Sequence, residues 1–445
     1  MTQLKRYDIS TVTAEHLCLS CGACQVVCRQ GSISYYETVG GYLFPRIDKN
    51  TCTNCGLCYE VCPGIHFNRS LVEQTPENPF IGNIISCRVG KATNETIFQN
   101  SQSGGIATAL LAHLLETSQI SGAIVAMMQT AMPPRGDVLL AKTIEEIIGA
   151  QKSKYIPIPL LSAVSHLKTA EAPVAVVGLP CHMQGLNNLL DQHPHLRSKI
   201  FIKIGLVCDR VQTNAVVDFL GRKAATQNMD YLTFRDKQRP SYPGNPVVKI
   251  EGGEEVVLDA SLRMAVKDFF TPPRCRLCFD KLNIYSDVVL GDPHGIKGID
   301  RKHGATLVLT RTQRGHNEIL AAETAGHIKT RPTDLQDVIN GQGIARKRLD
   351  WSNYMHAWSR MGKPIPEYPQ YVHASIYAPN ANIKKYKVDL LHGIRLDNFP
   401  SHSAVLGAAN RWLLKRKIAV GLKWPFAISM AIASRINRTI DGGKT

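Results

Sequence analysis

The middle of the chain alternates short, continuous apolar runs with segments of helical periodicity. The apolar runs are rich in β-branched residues and bounded by turn residues, so they predict buried strands. They are GAIVAMM (122–128), PVAVVGLP (173–180), KIFIKIGLVC (199–208), SDVVLGD (286–292) and ATLVLTRT (305–312). Between them, ATALLAHLLET (107–117) and TIEEIIGAQK (143–152) have the apolar spacing of amphipathic helices. The alternation predicts an α/β body over residues 85–335.

The N-terminal segment carries two cysteine runs with the same spacing, C-x2-C-x2-C-x3-C. CLSCGACQVVC (18–28) and CTNCGLCYEVC (52–62) repeat each other at a period of 34 residues. This spacing is typical of two-cluster ferredoxins, in which the fourth cysteine of each run binds the other cluster. We therefore predict an α+β ferredoxin-like domain at residues 1–75 with two [4Fe–4S] clusters. One would be held by Cys18, Cys21, Cys24 and Cys62, the other by Cys52, Cys55, Cys58 and Cys28; structural zinc fits this doubled run poorly.

Four further cysteines lie where predicted strands or loops of the body end. Cys181 and Cys208 follow apolar runs, and Cys275 and Cys278 form a C-x2-C pair. Since ligands collect at the carboxyl ends of parallel strands, these thiols form a candidate cage for a third [4Fe–4S] cluster. From the spacing alone, a structural zinc site and inert buried cysteines are equally open alternatives.

A Ser-Gly-Gly turn in NSQSGGIATALL (100–111) precedes the first predicted helix of the body. Free backbone N–H groups at such a helix start suit a phosphate. The alternative is an ordinary N-cap formed by Ser101 or Ser103. The turn matches neither the nucleotide-triphosphate loop nor the G-x-G-x-x-G fingerprint.

The net charge and the C-terminal region add less specific information. With 52 Lys and Arg against 36 Asp and Glu, the chain carries +16, which favours anionic partners without choosing among them. Residues 336–445 predict a mainly helical, basic extension of unknown function, with nine basic and two acidic residues at 391–445. Its segment from Trp412 to Trp424 predicts either a helix packed on the body or a peripheral membrane contact. A secretory signal and a spanning segment are not evident, so we expect a cytoplasmic protein.

Six motifs of the body, in this order, resemble the coenzyme F420 hydrogenase/dehydrogenase beta-subunit family, in the form that carries an N-terminal double ferredoxin domain. They are SQSGGIATALLAHLLE (101–116), KSKY (152–155), GLPCHMQGL (178–186), IGLVC (204–208), FRDK (234–237) and CRLCFDKLNIYSDVVLGD (275–292). The resemblance covers the first three hundred residues, roughly two thirds of the chain, and leaves the C-terminal extension unexplained.

The resemblance implies a flavin, usually FAD, beside an iron–sulfur cluster. It assigns Cys181, Cys208, Cys275 and Cys278 to the third cluster and leaves Cys87 as a plain thiol. The residues expected against the flavin are Ser103, Gly104, Gly105, Thr108, Lys154 and Tyr155. Without the resemblance, Lys154 would be read as a solvated surface lysine. A nucleophilic Cys181 with His182 as its base is a disfavoured alternative, because adjacent residues seldom face each other.

The expected function is that of an iron–sulfur flavoprotein oxidoreductase. Electrons would pass between the clusters and the flavin, which exchanges a hydride with a two-electron carrier or organic substrate, such as an F420-like deazaflavin or a biosynthetic intermediate. The expected partners are an electron-carrying protein such as ferredoxin and a small molecule, with no nucleic acid. The alternative is an electron-transfer subunit without its own substrate, docked on a catalytic partner. A nucleic-acid or membrane-surface binder with structural clusters is a third hypothesis, and the sequence does not indicate an oligomeric state.

Overall fold

The fold was examined in a computed structural model of the chain. It describes residues 7–67, 78–168, 173–226, 228–239, 242–300, 302–368, 372 and 383–421, with side chains described as far as residue 416. Within these residues the chain has a mixed α/β fold, as predicted, with a large sheet, two smaller sheets and many helices.

The strands fall into three sheets. In chain order they are β1 Ile33–Glu37, β2 Leu43–Ile47, β3 Ser86–Ala92, β4 Ala123–Met128, β5 Gly136–Ala141, β6 Val174–Gly178, β7 Ile200–Leu206, β8 Met229–Asp236, β9 Asn245–Ile250, β10 Glu255–Val257, β11 Val288–Gly291, β12 Thr306–Thr310 and β13 Ile328–Pro332. All five apolar runs predicted as strands are confirmed. β1 and β2 form a hairpin in the ferredoxin region, and β8, β9 and β10 form a three-stranded antiparallel sheet.

The large sheet has the strand order β13-β3-β12-β11-β7-β6-β4-β5. Its centre, β11-β7-β6-β4, is parallel, and the flanking strands are antiparallel. Because the central strands run in one direction, their carboxyl ends meet at one edge, which is where ligands bind in open α/β sheets.

Both faces of this sheet are buried. On β12, Leu307 and Leu309 belong to one apolar core and Val308 to another on the opposite face. Successive side chains of a strand point to opposite faces, so a strand covered on both sides must be apolar throughout. This is why the central strands appear in the sequence as continuous apolar runs.

The helices cover the sheet and build the two ends of the chain. They are α1 Ile9–Ala14, α2 Ala23–Val27, α3 Leu57–Glu60, α4 Glu95–Asn100, α5 Ile106–Glu116, α6 Ile144–Gly149, α7 Pro180–Gln192, α8 Ala215–Lys223, α9 Ala260–Val266, α10 Pro273–Arg276, α11 Gln313–Thr324, α12 Leu335–Gly341, α13 Ile344–Ser359, α14 Ile383–Arg395 and α15 His402–Gly421. Short 3-10 helices occupy Leu160–Lys168, Pro194–Lys199 and Leu396–Asn398. Among the described residues, no helix combines the length and apolar character needed to cross a membrane.

The C-terminal extension packs on both the body and the ferredoxin region. The ring of Trp412 on α15 stacks on His392 of α14, with centroids 5.3 Å apart, and Leu413 is buried. The Tyr42 hydroxyl of the ferredoxin region donates to the Gly393 carbonyl at 2.8 Å. Of the segment considered for membrane contact, residues 422–424, which include Lys423 and Trp424, lie outside the described residues.

Candidate functional site

Four cysteines of the ferredoxin region are gathered in its interior; we call them the inner set, and they are Cys18, Cys21, Cys24 and Cys62. All four are buried. Burial raises the pKa of the Cys18 thiol, and the neighbouring Cys62 and Cys24 thiols raise it further. The Cys21 thiol is likewise affected first by burial and then by Cys62. The chain thus brings Cys62 of the second run to the first three cysteines of the first run.

The other four cysteines of the two runs, Cys28, Cys52, Cys55 and Cys58, form the outer set, which lies nearer the surface. Burial raises the pKa of Cys58, and Cys55 and Cys52 act in the same direction, while Cys55 itself is exposed. Cys28 is connected to the Cys52 loop by hydrogen bonds of Ser32. The Ser32 N–H donates to the Cys28 sulfur at 3.3 Å. The Ser32 hydroxyl accepts from Thr51, which adjoins Cys52.

The two cysteine runs have the same backbone geometry as well as the same spacing. Ser20 and Asn54 both have left-handed φ values, 52° and 53°, and their N–H groups donate to the sulfurs of Cys18 and Cys52 at 3.3 and 3.4 Å. Gly22 and Gly56 follow with φ of 97° and 80° and begin α2 and α3. Each tight loop therefore turns its backbone N–H groups toward its own sulfurs.

The remaining predicted ligands, Cys181, Cys208, Cys275 and Cys278, line one cavity; we call them the body set. Cys181 lies in the first turn of α7, directly after β6, and Cys208 lies just beyond β7. Because β6 and β7 are parallel neighbours, their ends deliver both thiols to the same edge. Burial raises the pKa of Cys181, and Cys208, Cys21, Cys278 and Cys275 raise it further.

The body set and the inner set are adjacent. Cys18 lines the same cavity as the body set. No group of three or more His, Cys, Asp or Glu side chains within the described ranges is arranged to hold a single metal ion. Four cysteine thiols around one cavity are a ligand set that a [4Fe–4S] cluster or a tetrahedral zinc can use.

His182, beside Cys181, is committed to the fold. Its Nδ1 accepts from the Leu179 N–H at 3.1 Å, and its Nε2 lies 3.2 Å from the Ile158 carbonyl, to which it donates. Burial lowers the pKa of His182 to about 4. Since both ring nitrogens already have partners, His182 is not available as a base for Cys181. The geometry disfavours the nucleophile alternative.

A second and larger space, a cleft of about 320 Å³, opens beside the cavity at the start of α5. Five of the six residues predicted against a flavin line it, namely Ser103, Gly105, Thr108, Lys154 and Tyr155. Gly104 does not. Its N–H donates to the Thr306 hydroxyl at 3.0 Å, and a Cβ at Gly104 would lie 2.5 Å from the Gly90 carbonyl oxygen. Gly104 therefore lets the turn press against the sheet.

The start of α5 has no side-chain cap. Its N-cap is Gly105, with φ of 79°, whereas Ser101 donates to the Phe98 carbonyl and Ser103 to the Ala305 carbonyl. The interpretation of Ser101 or Ser103 as an ordinary N-cap is therefore wrong. The first backbone N–H groups of α5 remain available beside the cleft, where the helix dipole favours an anion.

Lys154 is not a solvated surface lysine. It lines the cleft, and its ammonium group donates to the Ala150 and Gln151 carbonyls at 2.5 and 2.9 Å, just past the end of α6. Burial lowers the pKa of Lys154 to about 7, and the charge of Lys152 acts in the same direction. A negative group entering the cleft would stabilise its charged form.

Sequence reasoning missed a group of cations that surrounds Tyr155. Arg235 donates to the Tyr155 hydroxyl at 3.0 Å and to Asp292 at 2.7 Å, and the Arg263 guanidinium lies 4.7 Å from the Tyr155 ring centre. Lys237 donates to the Ser103 carbonyl at 2.7 Å. Arg235 and Lys237 belong to the quoted FRDK motif at the end of β8. Two basic residues at the end of a strand, Arg235 within β8 and Lys237 directly after it, were the available signal.

The cavity and the cleft share a wall, and Cys208 lines both. Cys58 of the outer set lies close enough to Cys24 and Cys62 of the inner set to raise the pKa of both thiols. The structure thus joins four compartments in sequence: the outer set, the inner set, the body set and the cationic cleft. Thiolates at ferredoxin spacing are ligands for iron–sulfur clusters, and a mostly apolar cleft with a few cations and a free helix start suits a phosphate-bearing ligand.

Comparison with known proteins fits this arrangement. The family model of a 4Fe-4S dicluster domain matches residues 17–64. The chain is thus an electron-transfer iron–sulfur protein. The "Coenzyme F420 hydrogenase/dehydrogenase, beta subunit" family matches with its N-terminal model at residues 87–165 and its C-terminal model at residues 172–336. The chain belongs to the coenzyme F420 hydrogenase/dehydrogenase beta-subunit family, as the motifs predicted.

Individual relatives are distant. The chain is 26% identical to an uncharacterized protein of Methanocaldococcus jannaschii over 75% of this chain and 94% of that protein. It is 27% identical to the coenzyme F420 hydrogenase subunit beta of Methanosarcina barkeri, over 61% and 89%. A coenzyme F420-dependent sulfite reductase of M. jannaschii is 25% identical over 69% of this chain and 46% of its own length. A chain of the F420-reducing [NiFe] hydrogenase complex from M. barkeri shares the fold, with 21% identity and a TM-score of 0.52 over 66% of this chain and 99% of that one.

Proposed function

We propose that the chain is an iron–sulfur flavoprotein that carries electrons between [4Fe–4S] clusters and a flavin held in the cleft. The inner, outer and body sets would each bind one cluster. Clusters transfer single electrons, whereas a flavin exchanges either one or two, so together they connect a one-electron donor to a two-electron reaction. The chain's own contribution is to place these groups and to exclude water around them.

The observation that carries this proposal is the contact between compartments. Cys18 of the inner set lines the cavity of the body set, and Cys208 of the body set also lines the cleft. Electrons passing in either direction between a cluster at the inner set, a cluster at the body set and a flavin in the cleft would need adjacent sites of this kind. The outer set, with its exposed Cys55, is the natural point of exchange with a partner protein.

The charges around the cleft are the argument for a flavin that carries phosphate, such as FAD. The uncapped start of α5 offers backbone N–H groups to a phosphate, and Lys154 adds a positive charge on the same wall. Gly105 and Thr108 line the wall of the cleft where a flavin phosphate would approach the helix. Tyr155, fixed between Arg235 and Arg263, gives the cleft a rigid aromatic side.

The two-electron partner is proposed from the family. Two of the relatives carry coenzyme F420 in their names, one as a hydrogenase subunit and one as an F420-dependent sulfite reductase. An F420-like deazaflavin is therefore the first substrate to test, and an organic biosynthetic intermediate is the second. A specific alternative is a subunit without its own substrate, docked on a catalytic partner. It is supported by the M. barkeri relative, which is named as a subunit of a hydrogenase, and by the solved structure, which is a chain of a hydrogenase complex. The cytoplasmic location and the peripheral membrane contact remain predictions.

The first experiment is anaerobic purification followed by measurement of iron, acid-labile sulfide and flavin per chain. We expect about twelve irons and one flavin in the wild type, about eight irons in Cys181→Ser, and about twelve in the control Cys87→Ser. Cys87 is a suitable control because it lies on β3, outside all three sets. About eight irons in all three proteins would exclude a cluster at the body set, and a wild type without flavin would exclude the flavoprotein.

A second experiment separates the two candidate functions. The loaded protein is given an artificial one-electron donor and an F420-like deazaflavin, and reduction of the deazaflavin is followed by its absorbance. Turnover by the chain alone supports the enzyme, whereas turnover that needs a copurifying protein supports the docked subunit.

A further inference from the structure

Arg274 links the ferredoxin region to the loop that carries half of the body set. It directly precedes Cys275 and is only 1% exposed. Its Nε donates to the Gly64 carbonyl at 3.1 Å, and its Nη2 donates to the Pro63 carbonyl at 3.1 Å. These two carbonyls belong to the residues that follow Cys62 of the inner set. One guanidinium fork thus spans two segments more than 200 residues apart in sequence.

The segment that receives this fork is closely packed on its other side. A Cβ at Gly64 would lie 2.4 Å from the Leu17 carbonyl oxygen and 3.2 Å from the Cys62 sulfur. The Asn188 side chain of α7 also donates to the Val61 carbonyl at 3.1 Å. The segment that binds Arg274 is therefore packed against Leu17 and α7. The two hydrogen bonds of Arg274 connect the Cys275–Cys278 loop to this packed segment.

The charge of Arg274 acts on both sets. Arg274 adjoins Cys275 of the body set in sequence, and its guanidinium bonds to the carbonyls of Pro63 and Gly64, which directly follow Cys62 of the inner set. Lys347 of α13 lies on the side of the body set: its ammonium group donates to the carbonyl of Asp209, which follows Cys208, at 3.5 Å. The two cations thus form a natural comparison.

We propose that Arg274 is a positioning residue that fastens the inner set to the body set and whose buried charge is shared by the clusters at both. This rests on the proposed function, because it presumes clusters at the two sets. A buried cation favours the form of a nearby centre that holds an extra electron. Removing it should therefore make both centres harder to reduce.

The test compares Arg274→Gln, Arg274→Lys and Lys347→Gln as full-length, anaerobically purified proteins. Iron content is measured first, and the midpoint potentials of the centres are then determined by an EPR-monitored redox titration. For Arg274→Gln we expect the equilibrium for adding one electron to weaken about tenfold at both centres, about 59 mV each. For Lys347→Gln we expect a shift at the body centre alone.

Arg274→Lys separates charge from geometry. A lysine keeps the charge but cannot bridge both carbonyls, so we expect potentials near wild type but faster hydrogen exchange at residues 57–67. If Arg274→Gln does not assemble its clusters, Arg274→Lys decides the matter through the same exchange measurement.

Two results would overturn the inference. One is Arg274→Gln with full iron and unchanged potentials at both centres, and the other is Arg274→Lys with wild-type hydrogen exchange at residues 57–67. Both leave the proposed function standing. A wild type without about twelve irons would instead remove the proposed function itself.

Discussion

Asp397 of the C-terminal extension holds the hairpin of the ferredoxin region, and its removal should loosen that hairpin. It lies in the 3-10 helix Leu396–Asn398 and accepts two hydrogen bonds from the turn between β1 and β2. The donors are the Gly40 N–H at 2.9 Å and the Thr38 hydroxyl at 2.5 Å. The family match ends before this residue, so the contact belongs to the extension and not to the shared body.

The magnitude follows from the two bonds. Hydrogen bonds to a charged group contribute about 1.5–3 kcal/mol each and ordinary ones about 1 kcal/mol; because Asp397 is partly exposed, each of its two bonds should contribute about 1–1.5 kcal/mol. Asp397→Ala should therefore cost about 2–3 kcal/mol of local stability, and Asp397→Asn about 1 kcal/mol, because the amide keeps a neutral acceptor. A loss of about 2 kcal/mol corresponds to a roughly thirtyfold increase in local opening.

Native-state hydrogen exchange of the anaerobic holoprotein measures this directly. We expect residues 33–47 to exchange roughly thirtyfold faster in Asp397→Ala, while the neighbouring control Asn398→Ala, with its exposed side chain, changes little. A double-mutant cycle with Thr38→Val should show a coupling of about 1 kcal/mol. Unchanged exchange at residues 33–47 in Asp397→Ala would refute the reasoning.

Three further predictions concern pH and packing. His402 donates to the Val39 carbonyl and to Asp218, and the Asp218 hydrogen bond raises the His402 pKa. The stabilisation of the fold by protonated His402 should therefore be complete below the unfolded pKa near 6.5 and should fade as pH rises through the raised folded pKa. This pH dependence, followed by protease resistance, should vanish in His402→Gln. Since burial lowers the pKa of Lys154 to about 7, FAD affinity should fall as pH rises above that value and should not depend on pH in this way in Lys154→Met. Affinity is measured by quenching of flavin fluorescence, and a parallel slope in both proteins would contradict this. Gly64→Ala should lose the inner cluster and about four irons, because its Cβ would meet the Leu17 carbonyl oxygen at 2.4 Å, and full iron in that variant would disprove the packing argument.

The parts of the fold that depend on local pattern were predictable from sequence. Strands buried on both faces have to be continuously apolar, so β4, β6, β7, β11 and β12 were evident. The cysteine spacing likewise reflects the geometry of one tight loop around one cluster, and the left-handed Ser20 and Asn54 show that geometry twice.

What the sequence did not reveal depends on contacts between distant residues. The three-stranded sheet of β8, β9 and β10 carries mixed polar and apolar positions, which gave no clear period. Ser101 and Ser103 had the composition of an N-cap, but their hydroxyl groups bond to Phe98 and Ala305 instead. Arg274 donates to carbonyls of Pro63 and Gly64, and a side chain's pairing with a remote backbone oxygen leaves no trace in local spacing.

The graded burial of the cysteine sets has a consequence for how the protein fails in air. Cys55 of the outer set is exposed, whereas all four cysteines of the inner set are buried. Dissolved oxygen and peroxide therefore reach the outer thiols first, and oxidation of cysteine follows exposure. We expect inactivation to begin with the loss of about four irons while the remaining eight persist. Such a chain would lose its connection to the electron donor before it lost its own chemistry, and iron and sulfide supplied under reducing conditions would restore it.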